Sequence, residues 1–381
     1  MFIKNFFNFP PKKKYLIVHE SGSEVLFRSN IIKHEETFIL DLQNYRFLNF
    51  WSILYGIIFN LKIIKKSKYT WVVSSFIKIV KPHYVITFMD YIIGYYYLKK
   101  YNSKPKYLSI QVGRRNNEPG QFFSILKKTS SKYELSCDYI LTYSKDHAIE
   151  YSKYINCKAI HVGSVRSNSY NLSNKVQSVN SILFISQYRS KHVKNDTLIT
   201  YEDKKISHKD FFLAETYLLK IILKFCKIKN LKLKILSSLS HLDKEALLFF
   251  ENILGKNNFE YLIKSDDVNS YEIVDSHKFV CGVDSTLLYE ALARKSRVGV
   301  FYLRKCFIPA LKDVNFGWPS NLDPSGKFWT DCCDEKEIFR VLDNILKLSD
   351  NDWSLNTKNV ISNVMQYNER NQILKSILKN D

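Results

Sequence analysis

The stretch that decides the fold reads Cys-Gly-Val-Asp-Ser-Thr-Leu-Leu-Tyr-Glu and spans residues 281–290. The short run before it, residues 278–280, predicts a buried strand, and the apolar residues after it recur at helical spacing over residues 287–293. Gly282 then marks a tight turn between strand and helix. A strand, a glycine turn and a helix in this order predict one unit of an α/β fold with a parallel sheet.

The same turn predicts a phosphate site. Ser285 and Thr286 fall where the first N–H groups of the helix have no backbone partner, and a hydroxylated helix N-terminus is a natural seat for a phosphate. Glu290 falls one helical turn further on, within reach of the hydroxyls of a ribose. We therefore expect these three residues to bind a nucleotide. The alternative is that Asp284 or Ser285 merely caps the helix.

Strand-like and helix-like stretches alternate along the whole chain and restart once. The first half predicts strands at residues 15–19, 37–42, 84–88, 106–111, 138–143 and 158–162. The second half restarts at residues 181–187 and closes with a strand at 297–301. We therefore predict two doubly wound, Rossmann-like α/β domains that face a cleft, where open α/β sheets bind ligands. Their expected limits are 1–165 and 181–355, with a Ser- and Asn-rich linker at 166–180 and a C-terminal helix at 356–381 packing back on the first domain.

Composition indicates a globular protein with anionic partners. The 381 residues include 57 Lys or Arg against 37 Asp or Glu, a formal net charge of +20. Such an excess favours nucleic acid, phosphorylated substrates or an acidic membrane surface. The seven cysteines form no CxxC pair, which predicts reduced thiols in a cytosolic protein.

Residues 47–64 raise the question of a membrane. They are largely apolar and aromatic, but they fall short of the roughly 20 apolar residues of a spanning helix, and Asn49, Asn60 and Lys62 interrupt them. A buried or interface-lying helix is therefore expected. Lysines at positions 62, 65, 66 and 68 lie beside this helix and predict peripheral contact with an anionic membrane.

Six stretches in chain order resemble bacterial proteins of surface-carbohydrate (O-antigen or capsule) biosynthesis. They lie at residues 81–90, 110–114, 162–168, 183–189, 284–293 and, as a pair of aromatic segments, 316–319 with 326–329. Together with the two-domain pattern, they resemble the GT-B architecture of nucleotide-sugar glycosyltransferases. The resemblance implies a donor site in the second half, an acceptor site in the first half, and an acceptor on lipid at the cytoplasmic face of the membrane.

The residues after strands of the first half are candidates for the acceptor side. Asp90 follows the strand at 84–88 and would take the proton of the acceptor hydroxyl; capping the next helix is its alternative role. Glu118 and His147 are weaker candidates, and His147 is expected on the surface of its helix. Gln111, Gly113 and Arg114 follow the strand at 106–111, where a glycine turn brings donors close to a sugar or an acidic group. An ordinary basic loop is the alternative.

Arg189 follows the first strand of the second half. Its guanidinium is suited to a bidentate contact with a donor phosphate, and solvated surface charge is the alternative. No DxD motif stands at a strand end of the second half, so we expect no required metal and no other cofactor. The predicted function is transfer of a sugar from a nucleotide-sugar donor to a surface-polysaccharide or lipid-linked acceptor. A glycerophosphate or polyol-phosphate transferase of the same fold, and a non-catalytic nucleic-acid-binding protein, are the alternatives.

Overall fold

A computed structural model describes residues 6–42, 49–64, 67–115, 122–172, 177–195, 197–201, 204–239, 241–264, 269–312, 315–317 and 322–379. The chain forms two compact units. Unit 1 comprises Met1–Arg115, Phe122–Ser169 and Asn368–Asp381, and unit 2 comprises Asn116–Gln121 and Tyr170–Tyr367. Glu118, a candidate from the sequence, lies outside the described residues.

Unit 1 is built on a six-stranded sheet of order β2-β1-β3-β4-β5-β6. All of its strand pairs are parallel. Its strands are nearly continuous runs of apolar side chains, as expected for a parallel sheet that is covered on both faces. The strands are β1 (Tyr15–Val18), β2 (Thr37–Leu40), β3 (Tyr84–Thr87), β4 (Lys106–Ile110), β5 (Ser136–Thr142) and β6 (Asn156–His161).

Serine caps begin several helices of unit 1. Ser67 accepts a hydrogen bond from the Thr70 N–H at the start of one helix, and Ser144 accepts one from the His147 N–H at the start of another. The helices of unit 1 are Glu24–Arg28, Phe50–Ile64, Lys68–Val80, Leu98–Tyr101, Phe122–Ser130, Lys145–Tyr154, Val165–Asn168 and Gln372–Lys379.

Unit 2 repeats the design. Its main sheet has six strands in the order β11-β10-β7-β12-β13-β14, all paired in parallel, and a separate antiparallel hairpin joins β8 to β9. The strands are β7 (Ser178–Ile185), β8 (Leu198–Tyr201), β9 (Lys204–Ser207), β10 (Lys232–Leu236), β11 (Glu260–Leu262), β12 (His277–Gly282), β13 (Arg297–Phe301) and β14 (Trp329–Thr330). The helices are Ser190–Lys194, His208–Phe211, Leu213–Lys229, Lys244–Leu254, Ser270–Asp275, Thr286–Ala293, Arg304–Phe307, Glu335–Lys347 and Asp350–Val364.

The prediction of two doubly wound α/β domains is confirmed, and the boundaries between them differ from the expected ones. Residues 166–180 are not all linker, because the helix Val165–Asn168 belongs to unit 1 and β7 begins at Ser178. Residues 356–381 are not one helix, because the helix Asp350–Val364 ends in unit 2 and a second helix, Gln372–Lys379, lies in unit 1, where this segment was predicted to pack. Polar side chains fix this return: the Asn368 N–H donates to Asn168 Oδ1, and Asn371 Nδ2 donates to the Val165 carbonyl.

The helix Phe50–Ile64 packs against the helix Lys68–Val80. Trp71 Nε1 donates to the Gly56 carbonyl at 3.0 Å, an approach that a side chain at position 56 would block because its Cβ would lie 2.4 Å from the Trp71 ring. Asn60 Nδ2 donates to Ser75 Oγ. Among the described residues, no helix combines the length and the apolar character needed to cross a membrane.

Candidate functional site

Strand order places one topological switch point in each sheet. In unit 1 the chain runs from β1 outwards to β2 and then returns to the other side of β1 as β3. In unit 2 it runs from β7 through β10 to β11 and then returns to the other side of β7 as β12. Crevices at the carboxyl ends of such strand pairs are where open α/β sheets bind ligands. The residues that follow β1 and β3, and those that follow β7 and β12, are therefore the candidates.

In unit 2 the two switch-point loops approach each other closely. A Cβ at Gly282, the last residue of β12, would lie 3.0 Å from the Ile185 carbonyl oxygen at the end of β7. Glycine therefore lets the loop after β12 turn beside β7. Among the residues predicted to bind the donor, the sequence places Arg189 after β7 and Ser285 after β12, so both flank this switch point.

The helix Thr286–Ala293 begins directly at this edge of the sheet. Ser285 has extended backbone geometry, and its Oγ accepts from the Leu287 N–H at 3.4 Å, so the capping role is present. Thr286 is the first residue of the helix and is half-buried. The helix start offers backbone N–H groups and the positive end of the helix dipole, which together suit an anion.

A buried ion pair holds the loop after β12. Arg304 Nε and Nη2 donate to the two carboxylate oxygens of Asp284, each at 2.9 Å. The same guanidinium donates to Gln187 Oε1 in the loop after β7 and to the Phe211 carbonyl. Arg304 is 4% exposed. One arginine therefore fixes both loops of the switch point, a role that the sequence analysis did not assign to it.

Glu215 holds the loop after β7 in place through hydrogen bonds to its carboxylate. Its carboxylate accepts from Ser186 Oγ at 2.7 Å and from the Gln187 N–H at 3.0 Å, and it is 1% exposed. Burial raises the pKa of Glu215 from 4.5 to about 7, although nearby Arg304 opposes the shift. The side chain of Arg189 is exposed just beyond this anchored loop.

Glu290 does not point where the sequence suggested. It is 6% exposed, and its carboxylate accepts a hydrogen bond from the Tyr271 hydroxyl at 3.1 Å. Its helix is buried on all sides over this turn, since every residue from Leu288 to Ala293 is buried. The carboxylate is therefore engaged inside unit 2, and its position does not support the predicted ribose contact.

In unit 1, Asp90 is fully buried and its carboxylate is saturated. It accepts from Arg115 Nε at 2.6 Å and Nη2 at 2.5 Å, from the Tyr151 hydroxyl at 2.5 Å and from the Val112 N–H at 3.3 Å. Both carboxylate oxygens are engaged by donors of unit 1, and the side chain has no exposed surface on which to meet an acceptor. The expectation that Asp90 is the catalytic base is therefore corrected: it anchors the loop after β4.

The other predicted acceptor residues lie in that loop. Gln111 is 2% exposed and braces it, because Nε2 donates to the Gly113 carbonyl while Oε1 accepts from the Tyr143 N–H. Arg114 is half-buried. His147, expected on the surface, is 3% exposed, and burial together with the charge of Arg114 lowers its pKa to about 3. Gln111 and Gly113 shape the loop rather than offer free donors.

His19 is the functional candidate that the sequence analysis missed. It directly follows β1 at the switch point of unit 1 and is 4% exposed. Neither ring nitrogen has a hydrogen-bond partner among the described residues, and the ring stacks on Tyr69 at 5.8 Å. Buried polar atoms are nearly always paired, so an unpaired imidazole in a ligand-binding position calls for a functional account.

Two further features single out His19. Its φ of +75° is uncommon for a residue with a side chain, and such strain clusters at functional sites. Burial lowers its pKa from 6.5, against the attraction of Asp41, so the ring is neutral at pH 7. In the sequence, His19 ends the first predicted strand and is followed by Gly22 and two serines. The sequence analysis counted His19 as part of that strand and therefore did not consider it as a site residue.

The described residues hold no group of three or more His, Cys, Asp or Glu side chains that could bind a metal ion. The seven cysteines are free thiols. The aromatic side chains Phe316, Phe328 and Trp329 are buried and anchor their loop from within.

Solved structures with the same architecture cover nearly the whole chain. The S. aureus MnaA–UDP complex matches with a TM-score of 0.53 and 11% identity, over 97% of this chain and 95% of that one. Sucrose-phosphate synthase from Thermosynechococcus elongatus matches at 0.52 and 9%, over 97% and 98%. The UDP-GlcNAc 2-epimerase from Methanocaldococcus jannaschii matches at 0.51 and 11%, over 96% and 91%. At such low identity these likenesses establish the GT-B fold alone.

Sequence comparison identifies the family. No curated protein sequence matches the chain. A family model described as "putative O-antigen biosynthesis protein" matches residues 108–381, which include part of β4, the last two strands of the unit 1 sheet and all the described strands of unit 2. The chain has the GT-B fold and belongs to this family of O-antigen biosynthesis proteins.

Proposed function

We propose that the protein is a glycosyltransferase that moves a sugar from a nucleotide-sugar donor to a surface-glycan acceptor. One observation carries the proposal: the two switch points offer complementary chemistry. Unit 2 presents a helix N-terminus suited to a phosphate, and unit 1 presents a neutral, unpaired imidazole suited to a proton. A GT-B fold in an O-antigen biosynthesis family supports this combination.

Unit 2 would bind the donor. The N–H groups at the start of the helix Thr286–Ala293 would receive a phosphate, with the hydroxyl of Thr286 beside them. The exposed guanidinium of Arg189 would supply a bidentate contact. Negative charge grows on the departing diphosphate as the sugar–phosphate bond breaks, so fixed donors there lower the barrier. These hydrogen-bond donors can hold the phosphate without a metal ion, and we propose no metal.

Unit 1 would activate the acceptor. As the acceptor oxygen bonds to the sugar carbon, its proton passes to an imidazole nitrogen of His19, and the nucleotide leaves with the electron pair of the broken bond. The neighbouring charge of Asp41 favours the imidazolium that forms. His19 thus takes the role that the sequence analysis gave to Asp90.

A family of O-antigen biosynthesis proteins supports a lipid-linked or polysaccharide acceptor. We further propose that the protein acts at the cytoplasmic face of the membrane, in contact with anionic lipid. A transferase of glycerophosphate or polyol phosphate would use the same phosphate-binding site. The identity of the donor substrate therefore distinguishes this reaction from sugar transfer.

A thermal-shift screen against UDP, GDP, TDP and CMP tests the proposal. A nucleotide at 100 times its dissociation constant stabilises the folded state by about 2.7 kcal/mol. We expect Thr286→Asp to abolish the shift, because its carboxylate would repel the phosphate, and we expect Ser362→Asp, a change at an exposed position of unit 2, to leave it intact. No shift with any nucleotide, or an equal shift in both variants, would refute the donor site. Conversion of a nucleotide sugar without any acceptor would identify an epimerase instead.

A further inference from the structure

Unit 1 is far more basic than unit 2. It contains 29 Lys or Arg against 12 Asp or Glu, and unit 2 contains 28 against 25, so unit 1 carries 17 of the 20 formal positive charges. Residues 42–89 include seven Lys or Arg and no acidic residue. A surface of one sign attracts partners of the opposite sign. The partner of this region is therefore anionic.

The helix Phe50–Ile64 in this region exposes five large apolar side chains, which we call the apolar ridge. Their exposed fractions lie between 38% and 59%. Phe50, Ile57 and Ile64 are seven residues apart and so share one face of the helix. Ile58 lies beside that face, and Phe59 lies further around the exposed side of the helix, next to Lys78. Apolar side chains exposed together in this way mark contact sites for proteins or membranes.

A cavity of about 700 Å³ opens at the amino ends of β3 and β4. Its lining includes Lys78, Lys81, Lys104 and Lys106 and no acidic residue, and we call it the lysine cavity. No ion pair with a carboxylate engages Lys78, Lys81 or Lys104 among the described residues. The cavity lies at the edge of the sheet opposite His19, so the acceptor chemistry proposed above does not use it.

The apolar ridge and the lysine cavity adjoin. Lys78 lines the cavity, and its Nζ lies 5.1 Å from the centre of the Phe59 ring on the ridge. Cationic groups beside exposed apolar and aromatic side chains match the interface of a lipid bilayer, where phosphates lie above acyl chains. The helix of 15 residues is roughly 22 Å long, which suits a helix lying in the interface.

We propose that the apolar ridge and the lysine cavity dock unit 1 on an anionic phospholipid bilayer. The cavity receives a headgroup phosphate, and the ridge lies at the level of the first acyl carbons. The inference deepens the proposed function, which needs a membrane-borne acceptor, and its test requires no transfer activity.

Co-sedimentation of the full chain with vesicles tests the docking surface. The vesicles contain phosphatidylglycerol and phosphatidylcholine, or phosphatidylcholine alone, at several NaCl concentrations. The cavity variant removes three lysines of unit 1, and its control removes three exposed lysines of unit 2, so both lose the same charge. The cavity changes are Lys78→Gln, Lys81→Gln and Lys104→Gln, and the control changes are Lys256→Gln, Lys295→Gln and Lys358→Gln. The ridge variant carries Ile57→Ser, Ile58→Ser and Phe59→Ser, and its control carries Ile228→Ser, Leu248→Ser and Leu355→Ser.

We expect the wild type to bind only the anionic vesicles and to bind less as salt increases. The cavity variant should lose on the order of 100-fold in affinity, because each lysine near an anionic surface contributes roughly fivefold. The ridge variant should also bind weakly, and both controls should bind as the wild type does. If the cavity variant fails to fold, Lys104→Gln alone should give about fivefold.

Equal losses in the cavity variant and its control would overturn the lysine cavity as a headgroup site. Binding to both vesicle types alike would overturn the choice of partner. A dimer in sedimentation equilibrium that the ridge variant abolishes, without vesicle binding, would assign the ridge to a second copy of the chain. All variants should keep the nucleotide thermal shift. If the proposed donor site is wrong, the wild type itself shows no nucleotide thermal shift, and that outcome is independent of the vesicle results.

Discussion

Unit 1 and unit 2 place the same kind of ion pair at the same point of their sheets. In each, an aspartate follows the strand across the switch point, β3 or β12, and an arginine reaches it from beyond the next strand, β4 or β13. Asp90 pairs with Arg115, and Asp284 pairs with Arg304, each through two hydrogen bonds. The pairs hold equivalent loops, which indicates that they belong to the scaffold.

The units differ on the other side of the switch point. After β7, the loop of unit 2 is tied down by Glu215 and Arg304, and the free chemistry lies at the helix start after Ser285. After β1, unit 1 leaves His19 with a strained backbone and an unpaired ring. After β3, unit 1 has a 3₁₀ helix, Ile93–Tyr97, followed by one turn of α-helix, Leu98–Tyr101, where unit 2 has the α-helix Thr286–Ala293. The same scaffold therefore presents an unpaired imidazole in one unit and a helix N-terminus in the other.

The largest effect should come from breaking either ion pair. Arg115→Leu and Arg304→Leu should each destabilise the protein by about 3–5 kcal/mol, because the first leaves the buried Asp90, and the second the buried Glu215 and the half-buried Asp284, without a cation. Urea unfolding measures this. Arg340→Leu is the control, since Arg340 pairs with Glu337 at the surface and should cost less than about 1 kcal/mol. A large loss from only one of the two buried arginines would break the equivalence of the units.

The next effect is the pH dependence of stability that Glu215, beside the anchored loop of unit 2, contributes. The pKa of Glu215 is about 7 in the folded protein against 4.5 in the unfolded chain. Its contribution to stability is therefore complete below pH 4.5 and is lost as the pH rises to about 7, on the order of 3 kcal/mol in all. When the free energy of unfolding is measured between pH 4 and 8, that of the wild type should fall by this amount relative to that of Glu215→Gln. Parallel curves would show that Glu215 is already ionised in this range.

The smallest effect compares two serine caps. Ser67→Ala in unit 1 and Ser285→Ala in unit 2 should each cost roughly 1 kcal/mol of stability, because each removes the acceptor of a helical N–H group. Only Ser285→Ala should also weaken nucleotide binding, since only that helix start is proposed as a phosphate seat. Isothermal titration with the nucleotide found in the thermal-shift screen measures the difference. Equal nucleotide affinity in the two variants would leave Ser285 as a cap alone.

Local sequence patterns were enough for the architecture and for the positions of the candidate donor residues at the switch point of unit 2. Alternating strands and helices fixed the order of the elements, and the switch points follow from that order. The positions of three residues at this switch point were predictable because each comes soon after a strand; they are Ser285, Thr286 and Arg189. The role of Asp90 was not, because its partners Arg115 and Tyr151 lie 25 and 61 residues away. His19 was not predicted, since burial and backbone strain at the end of a strand leave no periodic pattern in the sequence.

The measurement that tests the central claim most directly compares turnover and nucleotide binding in His19→Gln. Turnover is the release of nucleotide from a nucleotide sugar in the presence of a lipid extract from glycan-producing bacteria. We expect release to fall by roughly 10²–10⁴-fold, as for loss of a general base, while the thermal shift with nucleotide is unchanged. His241→Gln, at an exposed histidine of unit 2, should match the wild type in both. Turnover retained in His19→Gln would contradict the account.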